Sequence, residues 1–356
     1  MKRTFETARA SGAADVAPAD YLPRLSRTEF ERVFRRRHPE FADLLYFDRD
    51  GADAALDRLA REHNEFETDA AGGRGRSYRL AQRATTARLT GIATLLEMVA
   101  GVADLRRLPP ETSVLDVLGG DGLVSRALRV LAPELPRNPV LTSDVAGHMV
   151  AGALGWGLAA IRQAADFLFL REASFHGVLI AYGSHHVGGT DRAAMCAEAF
   201  RVLRPGGRIV LHDFEEGSPA ARWFHEVVHR RAAAGHAYRH YTRGELYRLL
   251  REAGFTEITV TEIYDPIRMS GASRSEAVGA LLRYLTAMYG LRSGTGEPAT
   301  DRAELLDWLE RNMRYDYRSV PGHAAHWCST LTVSDTPDGA VAELPRLALV
   351  ATGVRG

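Results

Sequence analysis

The chain has 356 residues, of which 46% are hydrophobic and 25% charged, a composition that excludes a disordered or fibrous protein. The 45 basic residues balance the 45 acidic ones. Enzymes that act on nucleic acids usually carry a basic surplus, so this balance argues against a nucleic-acid partner. The two cysteines, Cys196 and Cys328, form no CxxC pair and predict neither a disulfide framework nor a cysteine zinc site. No apolar run approaches the ~20 residues of a membrane span and no signal-peptide core is present, so we expect a cytoplasmic protein without a membrane partner.

The N-terminal third predicts helices. From about Leu22 to Leu105, apolar residues recur at intervals of three and four, as in Leu89, Ile92 and Leu96. A glycine-rich break at 71–75 divides two helical groups. We therefore expect residues 1–108 to form an N-terminal helical cap that begins with a frayed segment.

The middle of the chain alternates short apolar runs with helical stretches. This alternation predicts an α/β fold with a mostly parallel sheet covered by helices on both faces, over residues 109–270. The predicted strands are Val114–Leu118, Val140–Ser143, Gly177–Tyr182, Arg208–His212 and Thr256–Glu262. The predicted helices are Leu123–Leu131, Met149–Ala159, Arg192–Leu203 and Arg243–Ala253.

The C-terminal part changes pattern twice. Residues 271–328 read as a helical insertion rich in aromatic side chains, interrupted by the glycine-rich loop at 293–296. Residues 329–356 contain strand-like runs at Ser329–Val333 and Leu347–Val354. We expect these strands to complete the core sheet.

The most informative segment is a glycine-rich turn between a buried strand and a helix. It reads Val-Leu-Asp-Val-Leu-Gly-Gly-Asp-Gly over Val114–Gly122. Glycines allow close approach of a ligand to the backbone, and a helix N-terminus offers unpaired N–H groups. The second strand ends at Asp144, a spacing that suits a carboxylate binding a ribose diol. The alternative is an empty strand–helix turn in which Asp144 caps the next helix.

This segment resembles motif I of the class I S-adenosylmethionine (SAM)-dependent methyltransferases, whose form is close to VLDxGxGxG. Asp116, Gly120 and Gly122 match, whereas Leu118 replaces the first family glycine and Gly119 stands beside it. Other segments resemble family motifs in the same order along the chain. They are Asp144-Val145, Ala165-Asp166-Phe167, Ser174–Leu179, Tyr182–His186, Leu203–Arg208 and Tyr241–Phe255.

The resemblance implies a Rossmann-like sheet of seven strands, of which the last runs antiparallel. It also implies that SAM is the cofactor and S-adenosylhomocysteine the product. Tyr78 is a further candidate, which either closes over the methionine end of SAM or lies at the surface. The resulting candidates for the cofactor site are Tyr78, Asp116, Leu118, Gly119, Gly120, Asp121, Gly122, Asp144, Val145, Asp166, Phe167 and Tyr182.

Histidines are the candidate catalytic residues. His185 and His186 directly follow the fourth strand, where each could act as a base or orient the acceptor, or contact the cofactor, cap a helix or pack. His212, with Asp213 beside it, follows the fifth strand and is the second choice. The pairs His225/His229 and His236/His240 are four residues apart, but no HExxH accompanies them, and we predict no metal site.

The leading hypothesis is a methyltransferase that acts on a carbon, oxygen or nitrogen of a small molecule, in natural-product biosynthesis. Zero net charge and the bulky helical additions favour it. One alternative is a protein with the same fold that catalyses a rearrangement or cyclisation without methyl transfer. Another is an RNA or protein methyltransferase. The sequence leaves the acceptor and the oligomeric state open, with a homodimer as one option.

Overall fold

A seven-stranded sheet forms the centre of the computed structural model, which describes residues 20–62, 64–68, 73–233, 235–294 and 298–356. The strands are β1 Val114–Val117, β2 Val140–Asp144, β3 Ala160–Arg162, β4 Phe175–Ile180, β5 Leu203–Asp213, β6 Thr256–Tyr264, β7 Ile267–Gly271, β8 Thr332–Thr336, β9 Gly339–Leu344 and β10 Leu347–Val354. The helices are α1 Arg27–Arg37, α2 Pro39–Ala42, α3 Ala52–Arg61, α4 Gly75–Gln82, α5 Leu89–Ala100, α6 Leu123–Leu131, α7 Gly147–Gly155, α8 Gly189–Val202, α9 Pro219–Trp223, α10 His229–Arg231, α11 Arg243–Glu252, α12 Arg274–Tyr289 and α13 Pro298–Asn312.

The strand order of the central sheet is β3-β2-β1-β4-β5-β10-β6. Strands β1 to β5 pair in parallel, and β10 runs antiparallel to both of its neighbours, β5 and β6. The predicted α/β class and mostly parallel sheet are confirmed. Strand β3 was missed by the sequence analysis, because three residues are too few to show a periodic pattern.

Apolar cores lie on both faces of the sheet, as a parallel sheet requires. Successive residues of β1 point to opposite sides: Val114 packs with Leu96 and Leu128 on one face, whereas Leu115 packs with Phe175 on the other. All of these side chains are at most 2% exposed. Both faces of the sheet are therefore filled by apolar side chains, which leaves the ends of the strands for functional groups.

Helix α6 has the bounds that the sequence predicts, whereas α7 ends four residues before the predicted Ala159. The chain turns at Gly157, which has φ +70°, a left-handed conformation that glycine adopts without steric cost. The early end of α7 lets the chain enter β3.

One stretch, Thr85–Arg107, is long and apolar enough to cross a bilayer by length and composition alone. That test is weak evidence, because core helices of soluble proteins also pass it. The apolar side chains of α5 within this stretch, Ile92, Leu95, Leu96 and Val99, are at most 2% exposed and belong to the core.

The C-terminal strands differ from the prediction. Only β10 joins the central sheet; β7, β9 and β8 form a separate antiparallel sheet. The buried residues of β9, Ala340 and Ala342, share a core with Leu281 and Leu285 of α12. Strand β9 buries its apolar side chains against α12, so it forms a core outside the central sheet. The predicted frayed N-terminus (1–19), and parts of both glycine-rich loops (71–72 and 295–296), lie outside the described residues.

Candidate functional site

The loop between β1 and α6 adopts an unusual backbone conformation. Leu118, Gly120 and Gly122 all have positive φ, at +62°, +58° and +84°. Glycine tolerates this region, but a residue with a Cβ is strained there. Leu118 thus occupies a conformation suited to the glycine that it replaces in the family motif.

An added Cβ would meet neighbouring side chains closely at two glycines of this loop. A Cβ at Gly119 would lie 2.4 Å from Oδ2 of Asp116, and one at Gly122 would lie 2.4 Å from Cδ1 of Leu158. Asp116 is 1% exposed beneath the loop, and burial raises the pKa of its carboxyl well above the usual range. Asp116 therefore packs against the loop from the buried side.

Asp144 connects the glycine loop to the end of β2. The backbone N–H of Gly120 donates to its Oδ2 at 2.9 Å, and that of Ala146 donates to its Oδ1 at 2.8 Å. Burial raises the pKa of Asp144 to about 6, although both hydrogen bonds oppose the shift. A carboxylate offers about four acceptor positions, so about two remain for donors from a ligand. Asp144 can thus anchor the start of α7 and still bind a diol.

A cavity of about 630 Å³ opens above the glycine loop, at the carboxyl ends of the strands. This volume lies within the usual range for ligand pockets, and the position is the expected one for an open α/β sheet. Seven of the twelve candidate cofactor residues line it: Tyr78, Leu118, Gly120, Asp144, Val145, Asp166 and Tyr182. His186, Glu65 and Tyr238 are also in its wall.

The other five candidates lie elsewhere: Asp116, Gly119, Asp121, Gly122 and Phe167 are not part of the cavity wall. Asp121 forms a buried ion pair with Arg126 at 2.9 Å. The ring of Phe167 packs under the guanidinium of Arg49 at 4.1 Å.

Asp166 reaches the cavity but is already paired. Both of its oxygens accept hydrogen bonds from the guanidinium of Arg58, each at 2.8 Å. Arg58 belongs to α3, so this pair connects the N-terminal helices to the cavity rim.

Helix α4 places Tyr78 over the glycine loop. Its Cε1 atom lies 3.6 Å from the position that a Cβ of Gly120 would take, and its ring packs edge-on against Phe66 at 5.0 Å. Burial raises the pKa of Tyr78 to about 12, so the phenol stays protonated at neutral pH. Tyr78 and Phe66 together cover one end of the cavity.

Tyr182 is a second strained residue at the cavity, with φ +62° directly after β4. Its hydroxyl donates to Oδ1 of Asp265 at 3.0 Å, and its N–H donates to Nδ1 of His212 at 3.3 Å. The guanidinium of Arg88 lies 4.8 Å from the ring. Strain that is held by such contacts is typical of ligand sites.

The three candidate catalytic histidines have different surroundings. His186 lines the main cavity and also a smaller inner cavity of about 30 Å³, whereas His185 lines only the inner one. His212 is fully buried, lines neither of these two cavities and holds the backbone of Tyr182. Burial lowers the pKa of His212 to about 4. This geometry gives His212 a structural role.

Carboxylates hold the two cavity histidines. Nδ1 of His185 lies 2.9 Å from Oδ2 of Asp213, and Nδ1 of His186 lies 3.2 Å from Oε1 of Glu65. Because a carboxylate only accepts, the hydrogen bond to Asp213 places a proton on Nδ1 of His185. Burial, followed by the neighbouring histidines, lowers the pKa of His186 well below its usual value, so the ring is neutral at pH 7.

The pKa of Asp213 is shifted against the effect of burial. Burial alone would raise its pKa, but charges and hydrogen bonds from His185 and His240 hold it well below the usual range. The hydroxyl of Ser184 also donates to it at 2.6 Å. Asp213 is therefore a fixed negative charge beneath the histidines.

Sequence reasoning did not find Glu65 or assign a role to His236. Glu65 lies in a turn before α4, and nothing in its local pattern marks it. His236 and His240 are four residues apart, but the segment 235–240 is irregular rather than helical. Their rings approach His185 because the segment folds over the end of β5, which is a tertiary contact.

Comparison with known proteins supports the geometry. Residues 86–260 match a family described as a methyltransferase domain. The chain is 33% identical over 127 residues to the ubiquinone/menaquinone biosynthesis C-methyltransferase UbiE of Brucella anthropi, which covers 33% of this chain and 46% of that protein. It is 33% identical over 118 residues to UbiE of Rhizobium etli, which covers 31% of this chain and 44% of that protein. The chain thus spans less than half the length of these relatives.

Among solved structures, the YcgJ protein of Bacillus subtilis superposes with a TM-score of 0.43 at 16% identity, covering 74% of this chain and 99% of that one. The assignment does not depend on this distant likeness. It follows from the domain match, the strand order and the carboxylate at the end of β2. Residues 86–260 are therefore a class I methyltransferase domain, the family whose cofactor is SAM.

Proposed function

We propose that this protein transfers a methyl group from SAM to a carbon, oxygen or nitrogen of a small-molecule acceptor. The observation that carries the proposal is the cover over the glycine loop at one end of the cavity. Phe66 and Tyr78 of the N-terminal part cover the glycine loop, and His186 and Glu65 belong to the cavity wall. A concave site that is covered in this way suits a small acceptor better than a polymer.

SAM supplies an electrophilic methyl group when it is bound. Asp144 would accept the ribose hydroxyls, and Val145 would pack against the adenine. Tyr78 would shield the methionine end from water. These residues bind and align the cofactor, and alignment of the reacting atoms is the larger part of the catalysis that such a transfer needs.

His186 would face the acceptor. Oε1 of Glu65 lies 3.2 Å from its Nδ1, and because the ring is neutral at pH 7, one of its nitrogens can take a proton from the acceptor. His185 supports it from behind, at a ring distance of 4.4 Å. The relatives named UbiE are C-methyltransferases, which makes an electron-rich ring carbon the first acceptor to test. A cytoplasmic location and a role in natural-product biosynthesis complete the proposal.

The direct test is incubation with isotope-labelled SAM and a panel of phenols and hydroquinones. Methyl transfer predicts a labelled product heavier by one methyl group, together with S-adenosylhomocysteine. A changed product that carries no label would instead favour a rearrangement on the same fold. Absence of turnover with every small acceptor, together with RNA binding that weakens strongly with salt, would contradict the proposal.

A further inference from the structure

Three histidines from separate parts of the site converge beside the inner cavity. His185 and His186 follow β4, and His236 comes from the irregular segment 235–240. One nitrogen from each ring lies within 4.8 Å of the other two. The three side chains all line the inner cavity of about 30 Å³. We call His185, His186 and His236 the histidine triplet.

Buried nitrogens of the triplet have no hydrogen-bond partner. His185 is 3% exposed and His236 is 4% exposed. Within the described residues, Nε2 of His185 and both ring nitrogens of His236 are unpartnered. Buried polar atoms are nearly always satisfied, so an unsatisfied group requires an explanation such as an absent ion. A neutral imidazole has one lone pair, so His185 and His236 each offer one buried, unpartnered nitrogen to a ligand that accepts lone pairs.

Carboxylates lie beside two of the rings, as they commonly do around metal-binding histidines. Nδ1 of His185 is hydrogen-bonded to Asp213, and Nδ1 of His186 lies 3.2 Å from Oε1 of Glu65. A histidine that binds a metal commonly donates its other ring N–H to a carboxylate in this way, which fixes the tautomer and makes the ligating nitrogen more basic. Glu65 also pairs with Arg74 at 2.5 Å, so a nearby positive charge is compensated.

A second nearby group, His185, Asp213 and His240, is a hydrogen-bond network instead. Nδ1 of His240 lies 3.0 Å from Oδ1 of Asp213, and Nδ1 of His185 lies 2.9 Å from Oδ2. Protons fill the space between these atoms, because the carboxylate only accepts. This group therefore supports the triplet and is not itself the binding site.

We propose that the histidine triplet binds a first-row divalent transition-metal ion of the Zn²⁺ class through three imidazole nitrogens. Imidazole ligands suit Zn²⁺, Fe²⁺, Ni²⁺ and Cu²⁺, and disfavour Mg²⁺ and Ca²⁺. Three protein ligands leave a coordination position open, as in catalytic zinc sites. This proposal replaces the sequence-based expectation that the protein has no metal site.

Metal binding stands independently of the proposed methyl transfer, but the use of the ion rests on it. His186 lines both cavities, so an ion on the triplet lies next to the acceptor. Its open position would take an acceptor oxygen and favour the deprotonated form of that oxygen. His186 would then position the ion rather than accept the proton itself.

The test uses untagged, full-length protein that has been freed of metal by a chelator. Co²⁺ is titrated as a visible-absorption probe, and Zn²⁺ content is measured by mass spectrometry after gel filtration. We expect one equivalent of metal. We further expect at least 100-fold weaker binding in His236→Ala and about 10- to 100-fold weaker binding in Glu65→Gln. The matched control is His225→Ala, which removes an exposed histidine outside the triplet and leaves the affinity unchanged.

Each variant is checked for SAM affinity, which shows that the cofactor site is folded. If His236→Ala does not fold, the Co²⁺-bound wild type still decides, because hyperfine-shifted imidazole N–H signals in its proton NMR spectrum identify histidine ligands. The proposal is overturned if wild-type protein binds Co²⁺ with a dissociation constant above about 100 μM. It is also overturned if folded His236→Ala binds as tightly as His225→Ala. Co²⁺ binding without any methyl transfer would leave the site standing and contradict the proposed function.

Discussion

Asp144→Asn is the sharpest test of the cofactor site. In the wild type, two backbone N–H groups, from Gly120 and Ala146, donate to the two carboxylate oxygens at 2.9 and 2.8 Å. The substitution keeps the shape but replaces one acceptor by an amide that donates. One backbone N–H then loses its partner, and the ribose diol loses a charged acceptor.

The expected magnitudes follow from these contacts. A hydrogen bond to a charged group contributes roughly 1.5–3 kcal/mol. Losing one hydrogen bond to the ribose diol, or weakening two, should therefore weaken SAM binding by about 100-fold. Stability responds differently. The raised pKa, about 6 against a usual 3.8, means that the buried charge costs about 3 kcal/mol above pH 6. Removing the charge offsets the roughly 1–3 kcal/mol cost of the orphaned N–H, so the free energy of unfolding should change little.

Calorimetry with SAM and with S-adenosylhomocysteine measures the affinity, and thermal unfolding measures the stability. Asp191→Asn is the control: this exposed carboxylate also lies at the cavity, but solvent screens it, and we expect less than about a threefold change in affinity. An Asp144→Asn protein that binds SAM within about threefold of wild type would refute the ribose assignment. A large fall in melting temperature would refute the stability argument.

Four further outcomes are expected. SAM affinity should fall about tenfold from pH 7 to pH 5, because Asp144 has a pKa of about 6 and takes up a proton over this range. A pH-independent affinity in wild type, or an equal pH dependence in Asp144→Asn, would contradict this. Because folding raises the pKa of Asp144, the ligand-free protein should lose stability from this group as the pH rises through 6. The difference between the wild-type and Asp144→Asn melting temperatures, measured against pH, isolates the contribution of Asp144. Leu118→Gly should be about 1 kcal/mol more stable to urea than Leu118→Ala, since only glycine adopts φ +62° without strain; the reverse order would show that the loop relaxes. Gly119→Ala should cost about 1–3 kcal/mol, because its Cβ would meet Asp116 at 2.4 Å, and an unchanged melting temperature would disprove that contact.

The sequence alone determined the parts of this protein that are local. Alternating strand and helix patterns predict the parallel sheet, and the turn after β1 predicts a ligand loop, because periodicity and glycine content act within a few residues. The same reasoning predicts Asp144, which ends the strand that follows the loop. Residues such as Asp121 and Phe167 belong to the matching motifs, yet the structure pairs them with Arg126 and Arg49.

Only the tertiary structure decided which side chains meet at the inner cavity. Glu65 and His236 are more than 100 residues apart. Glu65 lies in a turn and His236 in an irregular segment, and neither has a periodic pattern. Their approach to His186 depends on how the N-terminal part and the segment 235–240 fold over the strand ends. Contacts of that kind come from the packing of distant segments, and a single sequence carries no local signal for them. The sequence therefore predicted the glycine loop and Asp144 at the cavity, whereas it did not predict that the three histidines meet.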